Sequence, residues 1–272
     1  MRTAIVVFTK VPKVGTAKTR LTTGRGGILT PEEAKELYEA FLLDVIDSCI
    51  ASASSEIYIC HDAEGDSAHL KHLLEGVSSA DCIKEIFPDK GETFDKGMQY
   101  ASDYLLKGSG GERLADAILI VGGDVPSLQP ATIREAFRKL ETMACQNGEG
   151  KRRPEIGPAM VVSADQECGF NLIGYTFSTP FEFADVFYNQ NGVTALDMIS
   201  LKATAQQIPF GILEIVPDVD VPVDFAGFIS VLRTMRIAEK YDKNISLPMR
   251  TIQNLEALGL ESSAPVPHDY LH

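Results

Sequence analysis

An aspartate follows directly on an apolar segment of the chain, a position that suggests a ligand site. Residues 117–122 carry no charge, and Gly123 and Asp124 come next. An uncharged run of this length predicts a strand buried on both faces, which is typical of parallel sheets covered by helices. Such sheets bind ligands beyond the carboxyl ends of their strands, where Asp124 is well placed to hold a divalent cation. Two other interpretations stay open: Asp124 caps a helix that begins near Pro130, or it forms an Asx turn before Pro126.

A second candidate site is the basic segment that follows the first predicted strand. Residues 1–25 contain six Lys or Arg residues and neither Asp nor Glu. Backbone N–H groups of a glycine-containing loop can cradle phosphate oxygens, while Lys13, Lys18 and Arg20 add positive charge. The segment lacks the spacing of a Walker loop and of a Gly-x-Gly-x-x-Gly motif, which disfavours those two nucleotide-binding folds. A basic loop that only faces solvent is the alternative.

A third candidate site is a cluster of acidic residues after a predicted strand. Asp218 and Asp220 lie two positions apart, and alternate side chains of an extended backbone share a face. Both carboxylates could therefore approach one cation. The alternative is that Asp220 only leads into a helix whose first turn holds Pro222 and Asp224, where acidic residues favour the helix dipole.

A fourth candidate site lies between two predicted strands, at residues 163–172. Its acidic and amide side chains and its glycine predict the wall of an acceptor-substrate site. The residues concerned are Asp165, Glu167, Gly169 and Asn171. An ordinary polar turn is the alternative. Cys168 has no histidine close to it in the sequence, which disfavours a thiol nucleophile.

Composition and charge limit the classes of function. Of the 272 residues, 44% are hydrophobic, which is enough for a sizeable core. The net charge of −13 disfavours nonspecific nucleic-acid binding, because neutralising phosphates needs a basic surface. Five cysteines without a Cys-x-x-Cys spacing argue against a disulfide framework or a zinc site and fit a reducing cytosol. The apolar run at residues 4–8 is too short for a signal peptide or a membrane span. We therefore expect a cytoplasmic protein with no membrane span and no nucleic-acid partner.

Alternating strand and helix patterns must position these sites. Strands are predicted over residues 3–9, 56–61, 83–87, 116–122, 159–163, 171–177 and 212–217. One helix begins at Pro31, where Thr30 and Glu33 predict a capping box. Further helices are predicted over residues 93–107, 130–143, 180–188, 192–204, 222–240 and 249–258. This alternation indicates an α/β protein with a mostly parallel sheet. We expect a single domain over residues 1–245, followed by a C-terminal helix and a loose tail over residues 246–272.

Four blocks of the sequence combine these candidate sites, and they are Phe8-Thr9-Lys10-x-Pro12-x-x-Gly15-x-x-Lys18-Thr19-Arg20-Leu21, Gly122-Gly123-Asp124-Val125-Pro126-x-Leu128, Gly169-Phe170-Asn171-Leu172-Ile173-Gly174 and Asp218-Val219-Asp220-x-Pro222-x-Asp224-Phe225. In this order they resemble the nucleotide-diphospho-sugar transferase superfamily, whose members have the GT-A fold. Within it, the chain is most similar to a bacterial transferase family associated with radical-SAM and selenoprotein domains and, more distantly, to the 2-phospholactate guanylyltransferases.

The resemblance implies a GT-A-like three-layer α/β/α sandwich with a mostly parallel, Rossmann-like central sheet. It implies a nucleotide over the end of the first strand, with Mg²⁺ or Mn²⁺ held by Asp124 and one acid of the pair Asp218 and Asp220. Lys18, Arg20 and Asp124 would then act in catalysis, because the basic loop and the metal that Asp124 holds would neutralise charge on the attacked or leaving phosphate. The implied nucleotide-binding residues are Phe8, Thr9, Lys10, Lys13, Gly15, Lys18, Arg20 and Gly123.

The sequence departs from the family pattern at two blocks. An Asp-Gly-Gly of the family reads Glu167-Cys168-Gly169 here, and its Gly-Asp-Leu-Gly-x-Arg block corresponds to residues 91–97, which lack the arginine. Asp165 and Asn171 stand where the guanylyltransferases have an Asp and an Asn, but Phe170 replaces their Thr.

The leading hypothesis from the sequence is a metal-dependent transferase that uses an activated nucleotide and a small-molecule acceptor. Nucleotidyl transfer from a nucleoside triphosphate is slightly favoured over glycosyl transfer from a nucleotide sugar, because clustered cations suit a triphosphate and its departing pyrophosphate. A noncatalytic nucleotide-binding protein is the alternative from a different class, motivated by the altered blocks.

Overall fold

The computed structural model describes residues 1–108, 110–145 and 155–262 of the chain. Within these residues, seven strands form one sheet in the order β3-β2-β1-β4-β6-β5-β7. The strands are β1 (Thr3–Thr9), β2 (Glu56–His61), β3 (Ile83–Pro88), β4 (Ala117–Gly122), β5 (Met160–Ala164), β6 (Phe170–Thr176) and β7 (Phe210–Ile212). Strand β6 is antiparallel to both of its neighbours, whereas the other pairings are parallel. The mostly parallel α/β sheet predicted from the sequence is confirmed.

Helices cover both faces of the sheet, because parallel strands need crossover connections. They are α1 (Pro31–Ser52), α2 (Ser67–Leu74), α3 (Phe94–Leu106), α4 (Pro130–Cys145), α5 (Ala195–Ala205), α6 (Pro222–Ala238) and α7 (Met249–Leu258). Alternate residues of β1 point to opposite faces. Val7 packs in a core with α1, α2 and α4, while Val6 packs in a second core with α3 and α5. The three-layer sandwich is therefore confirmed.

The sheet topology gathers the candidate site at one edge. Strands β1 and β4 are parallel neighbours, so their last residues, Thr9 and Gly122, lie at the same edge. Because β6 is antiparallel to β4, its first residue, Phe170, also lies there. Ligands of open α/β sheets bind beyond this edge.

The start of α1 is closed by the predicted capping box. Thr30 Oγ1 accepts a hydrogen bond from the backbone N–H of Glu33 at 3.2 Å. In return, the backbone N–H of Thr30 donates to Glu33 Oε2 at 2.7 Å. Two N–H groups that the first helical turn leaves without a backbone partner are satisfied in this way.

Helices α6 and α7 pack on the outer side of α1. The rings of Phe41 and Phe228 meet there with centroids 5.8 Å apart, in a third apolar cluster. Buried Asp44 of α1 accepts hydrogen bonds from the backbone N–H groups of Arg250 and Thr251 at 3.2 and 2.8 Å. A side chain of α1 thus caps the first turn of α7. The domain boundary at residue 245 stays a prediction, and residues 263–272 of the proposed tail lie outside the described residues.

Two of the predicted elements are wrong. The helix expected over residues 180–188 is an irregular segment, in which the backbone N–H groups of Phe183 and Phe187 donate to side chains of α3. These bonds replace the helical i to i−4 pattern.

The strand expected over residues 212–217 ends at Ile212. Beyond it, the carbonyls of Glu214 and Val216 accept hydrogen bonds from the side chains of Ser163 and Asn171 rather than from a neighbouring strand. The sequence interpretation also missed α2, which Asp66 caps.

Among the described residues, no helix combines the length and the apolar character needed to cross a bilayer. All five cysteines are free thiols.

Candidate active site

A cleft of about 610 Å³ opens at the sheet edge where β1 and β4 end and β6 begins. Among the described residues, three of those predicted to bind ligand are exposed and lie away from the cleft lining: Lys13, Gly15 and Glu167. The other predicted residues line it, and they are Phe8, Thr9, Lys10, Lys18, Arg20, Gly123, Asp124, Asp165, Gly169, Asn171, Asp218 and Asp220. Blocks that are far apart in the chain thus meet around one opening.

The ammonium group of Lys18 joins two carboxylates in this cleft. Its Nζ donates to Asp124 Oδ2 at 2.9 Å and to Asp220 Oδ1 at 2.7 Å. The Lys18 side chain is only 4% exposed, whereas the carboxylate side chains are about one third exposed. Arg20 adds a longer contact, with Nη1 3.4 Å from Asp220 Oδ2. The two carboxylates therefore converge on one buried positive charge.

The contacts of Lys18 shift the pKa values of the groups involved. Burial by itself would lower the pKa of Lys18, but the charges of Asp124 and Asp220 outweigh it and raise that pKa above its ordinary value. Burial would likewise raise the pKa of Asp220, but Lys18 and then Arg20 hold it below its usual range. Lys18 and Asp220 are consequently both charged at neutral pH.

Apolar anchors on both sides of Lys18 hold it in place. Ala17 and Leu21 are buried in the cluster around α1. The backbone of Lys18 is left-handed, with φ 43°, a conformation that costs a residue with a side chain about 1–2 kcal/mol. Its carbonyl accepts a hydrogen bond from the N–H of Leu21 at 2.9 Å. Packing of Ala17 and Leu21 holds the backbone of Lys18 in this strained conformation. The strained residue is thus the one whose side chain reaches both carboxylates.

Two glycines before Asp124 allow close contacts with Asp124 and with Thr9. A Cβ atom on Gly122 would lie 2.9 Å from Asp124 Oδ1, and one on Gly123 would lie 2.6 Å from Thr9 Oγ1. The sequence left open whether Asp124 caps α4 or forms an Asx turn. In the structure its Oδ2 accepts the hydrogen bond from Lys18.

Asp224 performs the capping role that the sequence left open for Asp220. Its Oδ2 accepts hydrogen bonds from the backbone N–H groups of Val221 at 2.9 Å and of Asp220 at 3.2 Å, at the start of α6. The carboxylate of Asp220 is therefore available to Lys18.

Asp218 lines the same cleft but binds another partner. Its Oδ1 accepts a hydrogen bond from Gln166 Nε2 at 2.8 Å. Burial, and then the negative charges of Asp220 and Asp124, raise the pKa of Asp218 to about 7. Asp218 is therefore only partly ionised at neutral pH, because its neighbours Asp124 and Asp220 already carry negative charge.

The donor set fits a divalent cation in its chemistry. Asp124, Asp218 and Asp220 offer the carboxylate oxygens that Mg²⁺ and Mn²⁺ prefer. Within the described part of the chain, however, no group of three or more His, Cys, Asp or Glu side chains is already arranged around a metal position. Because Lys18 lies between Asp124 and Asp220, a cation bound to both would compete with its ammonium group.

The predicted acceptor residues have structural partners. Asp165 Oδ1 accepts hydrogen bonds from the backbone N–H groups of Glu167 and Gly169, each at 2.7 Å. Asn171 Nδ2 donates to the carbonyl of Val216 at 2.6 Å. These bonds form the polar turn that the sequence left as the alternative. Contact of these residues with an acceptor stays a prediction.

Tyr38 of α1 also lines the cleft, and the sequence interpretation missed it. Its hydroxyl is hydrogen-bonded to Thr9 Oγ1 at 2.8 Å and accepts from the backbone N–H of Lys10 at 3.3 Å. Lys18 Nζ lies 5.9 Å from the centre of its ring. Burial, and then the charge of Asp124, raise the pKa of Tyr38 to about 12. The available signal was a tyrosine next to Leu37, among the buried apolar residues of α1.

Comparison with protein families assigns the chain to one of them. Residues 45–190 match the model of a family described as "Uncharacterized protein conserved in bacteria (DUF2064)", and the match covers more than half of the chain. The chain belongs to the DUF2064 family. The matched part of this DUF2064 chain includes Asp124 and the turn at residues 165–169, whereas Lys18 and residues 218–220 lie outside it. A search of curated proteins found no match to it.

Solved structures share the fold of the DUF2064 chain. A "putative nucleotide-diphospho-sugar transferase" from Desulfovibrio desulfuricans G20 has a TM-score of 0.69 and 18% identity, with 95% of this chain and 97% of that chain covered. A cytidylyltransferase from Leptospira borgpetersenii has a TM-score of 0.50 and 11% identity, with 98% and 100% covered. At these identities the likeness shows the fold alone. The DUF2064 chain thus has the fold of the nucleotide-diphospho-sugar transferases, as its sequence blocks predicted.

Proposed function

We propose that this protein is a metal-dependent transferase that acts on an activated nucleotide. The observation that carries the proposal is the convergence of Asp124 and Asp220 on Lys18 Nζ, at the edge of the sheet where such folds bind ligands. Ion pairs between lysine and aspartate are common on protein surfaces and do not by themselves mark a site. Here all three side chains lie within a cleft that the basic loop also lines.

The basic loop supplies the phosphate-binding side of the cleft. The cleft is lined by four cations, which are Lys10, Lys18, Arg20 and Arg25. Lys18 is bound between two carboxylates, whereas the other three are not. Arg guanidinium groups bind phosphate oxygens in a fork geometry, whereas Lys acts as a compact point charge. Lys18 and Arg20 would stabilise the negative charge that develops on the reacting phosphate.

Asp124 and Asp220, with Asp218 as a further oxygen donor, are the residues that would hold Mg²⁺ or Mn²⁺. When bound, such a cation neutralises phosphate charge and polarises phosphoryl oxygens. Until such a cation binds, Asp124 and Asp220 orient the ammonium group of Lys18, because each of them accepts one of its hydrogen bonds.

Nucleotidyl transfer from a nucleoside triphosphate is the favoured reaction. The four cations that line one side of the cleft suit a triphosphate and a departing pyrophosphate better than a diphosphate. The fold likeness to the cytidylyltransferase from Leptospira borgpetersenii supports this choice. The likeness to the protein from Desulfovibrio desulfuricans G20 supports the second candidate, glycosyl transfer from a nucleotide sugar.

Calorimetric titration tests the proposal. Each nucleoside triphosphate and nucleotide sugar is titrated into the wild type and into Asp124→Ala, with and without Mg²⁺ or Mn²⁺. Asp81→Ala, which removes an exposed carboxylate on a short 3-10 turn, is the matched control. We expect metal-assisted binding to weaken by at least about tenfold in Asp124→Ala and to be unchanged in the control. Unchanged metal-assisted binding in Asp124→Ala contradicts the proposal.

The released product separates the possible reactions. The protein is incubated with each nucleotide and with a set of small alcohols, sugars and phosphorylated acids. Pyrophosphate marks nucleotidyl transfer, and a nucleoside diphosphate marks glycosyl transfer. Nucleotide binding without either product supports the noncatalytic alternative.

A further inference from the structure

The cleft has two walls of different chemistry, above opposite faces of the sheet. The last residues of β1 separate them, because Thr9 is hydrogen-bonded to Tyr38 of α1, whereas Phe8 packs with the core under α3 and α5. On the α1 side lie Lys18 and the rest of the basic loop. On the other side lies an aromatic wall, which consists of Phe94, Phe170, Phe187 and Tyr188.

Three of the four rings of the aromatic wall contact one another. The Phe187 ring lies 4.6 Å from that of Phe94, in an edge-to-face arrangement, and 5.3 Å from that of Phe170. Phe187 is held by its backbone N–H, which donates to Asp95 Oδ1 at 3.0 Å. Phe94 is nevertheless 47% exposed and Tyr188 is 97% exposed. Exposed aromatic surface that lines a cleft is characteristic of a ligand-binding wall.

The polar groups next to this wall are acidic or neutral. The Asp165 turn leads directly into Phe170, and Asp218 is linked to that turn through Gln166. Among the described lining residues, Asp165 and Asn171 flank Phe170 in the sequence, whereas the cations Lys10, Lys18, Arg20 and Arg25 all belong to the basic loop before α1. An anionic group on this side would meet like charges, which disfavours it.

We propose that the aromatic wall binds the ring of an uncharged, hydroxylated acceptor, a sugar or glycoside, in preference to a small phosphorylated or carboxylated acid. The assignment of the basic side to phosphates, and hence of this wall to the acceptor, rests on the proposed function. The less polar face of a sugar ring packs on aromatic rings, and carboxylate oxygens accept hydrogen bonds from its hydroxyl groups. Phe170 packs on Phe187 and extends the apolar surface of the wall.

Saturation-transfer NMR on the full-length protein tests the ligand class. The probes are the methyl glycosides of glucose, galactose and mannose, with 3-phosphoglycerate as the anionic comparison. All are measured in the presence of saturating pyrophosphate, which occupies the basic side of the cleft. We expect ring protons of at least one glycoside to be saturated, with an affinity at least about fivefold higher than that of 3-phosphoglycerate.

Variants at the wall test the location. Phe187→Leu keeps apolar bulk but removes the ring, and we expect glycoside affinity to fall by at least about fivefold. Phe177→Leu is the matched control, because Phe177 follows the other end of β6, is 37% exposed and packs under the guanidinium of Arg113 at 3.8 Å. Circular dichroism checks that each variant folds, and Phe94→Leu replaces Phe187→Leu if the latter does not.

Several results overturn the inference: no glycoside signal with the wild type, equal signals in the wall variant and the wild type, or stronger binding of 3-phosphoglycerate. Displacement of the glycoside by a nucleotide, together with weaker nucleotide binding in Phe187→Leu, would assign the wall to a nucleobase and also overturns it. Nucleotide titrations on the same samples separate the two proposals. Nucleotide binding without glycoside binding removes only this inference. Glycoside binding without nucleotide binding removes the proposed function and, with it, the acceptor role of the wall, and leaves only a glycoside-binding wall.

Discussion

Lys18 and Asp220 lie 202 positions apart in the chain, and their side chains meet at 2.7 Å. The contact joins the loop after β1 to the segment before α6, and Asp124 at the end of β4 completes it. Three separate parts of the fold thus hold one buried ammonium group. Any change to that group should affect both the stability of the protein and the chemistry of the cleft.

Lys18→Met removes the positive charge between the two carboxylates. We expect the free energy of unfolding at neutral pH to fall by about 1–3 kcal/mol, because Asp124 and Asp220 lose the ammonium group between them and only the longer contact of Arg20 with Asp220 remains. Urea unfolding measures the change. Lys13→Met, in an exposed part of the same loop, is the control and should change the free energy by less than about 0.5 kcal/mol.

This loss should depend on pH. The pKa of Asp220 is held below its unfolded value, so the stabilisation is present at neutral pH and disappears as the pH falls through the folded value. The difference between Lys18→Met and the wild type should therefore shrink below about pH 4. An equal difference at acid and neutral pH would show that lost packing, rather than lost charge, explains the effect.

The same variant should bind Mn²⁺ more tightly when no nucleotide is present. In the wild type, a cation must compete with the ammonium group for the oxygens of Asp124 and Asp220. Removing that competitor should raise Mn²⁺ affinity by about tenfold, while nucleotide affinity falls because a phosphate-binding cation is lost. Electron paramagnetic resonance of free Mn²⁺ measures the first effect and calorimetry the second. Equal Mn²⁺ affinities in the two proteins would argue against a metal site between these carboxylates.

Gly122→Ala should damage the cleft without damaging the fold. The new Cβ would lie 2.9 Å from Asp124 Oδ1, so the carboxylate must move. We expect metal-assisted nucleotide binding to weaken by about tenfold, close to 1.4 kcal/mol. Gly227→Ala in α6 is the control, because a Cβ there meets nothing within 4 Å. A variant that binds nucleotide as the wild type does would show that the position of Asp124 is unimportant.

Asp44→Ala should loosen α7. The carboxylate of Asp44 accepts hydrogen bonds from the N–H groups of Arg250 and Thr251. The substitution removes this acceptor and leaves both N–H groups without a partner. We expect a loss of about 2–3 kcal/mol in the free energy of unfolding and faster amide exchange at Arg250 and Thr251. Asp47→Ala, which removes only the more exposed contact of the Arg250 guanidinium, should cost less. Equal losses in the two variants would contradict the capping role of Asp44.

Much of the fold was predictable because local patterns determine it. The uncharged run before Asp124 can only be a strand buried on both faces or part of a buried helix, and the glycines after it favour the strand. Thr30, Pro31 and Glu33 mark the start of α1 through hydrogen bonds within one turn. These signals depend on neighbours in the chain, so the sequence alone was sufficient.

The prediction failed where backbone groups bind distant side chains. Residues 180–188 have apolar residues at helical spacing, but Asp95 and Gln99 of α3 take the N–H groups that a helix would use. Residues 213–217 look like a strand, but Asn171 and Ser163 bind their carbonyls. Neither partner can be identified from local spacing.

The sequence by itself determined the α/β sheet, the order of its blocks and the chemical types gathered at one edge, because periodicity, capping and turn residues act over a few positions. Only the tertiary structure decided that Lys18 lies between Asp124 and Asp220, and that Tyr38 and the aromatic wall complete the cleft. Those relations depend on how crossover connections bring separate segments together. They are set by packing across the whole sheet, which no local pattern encodes.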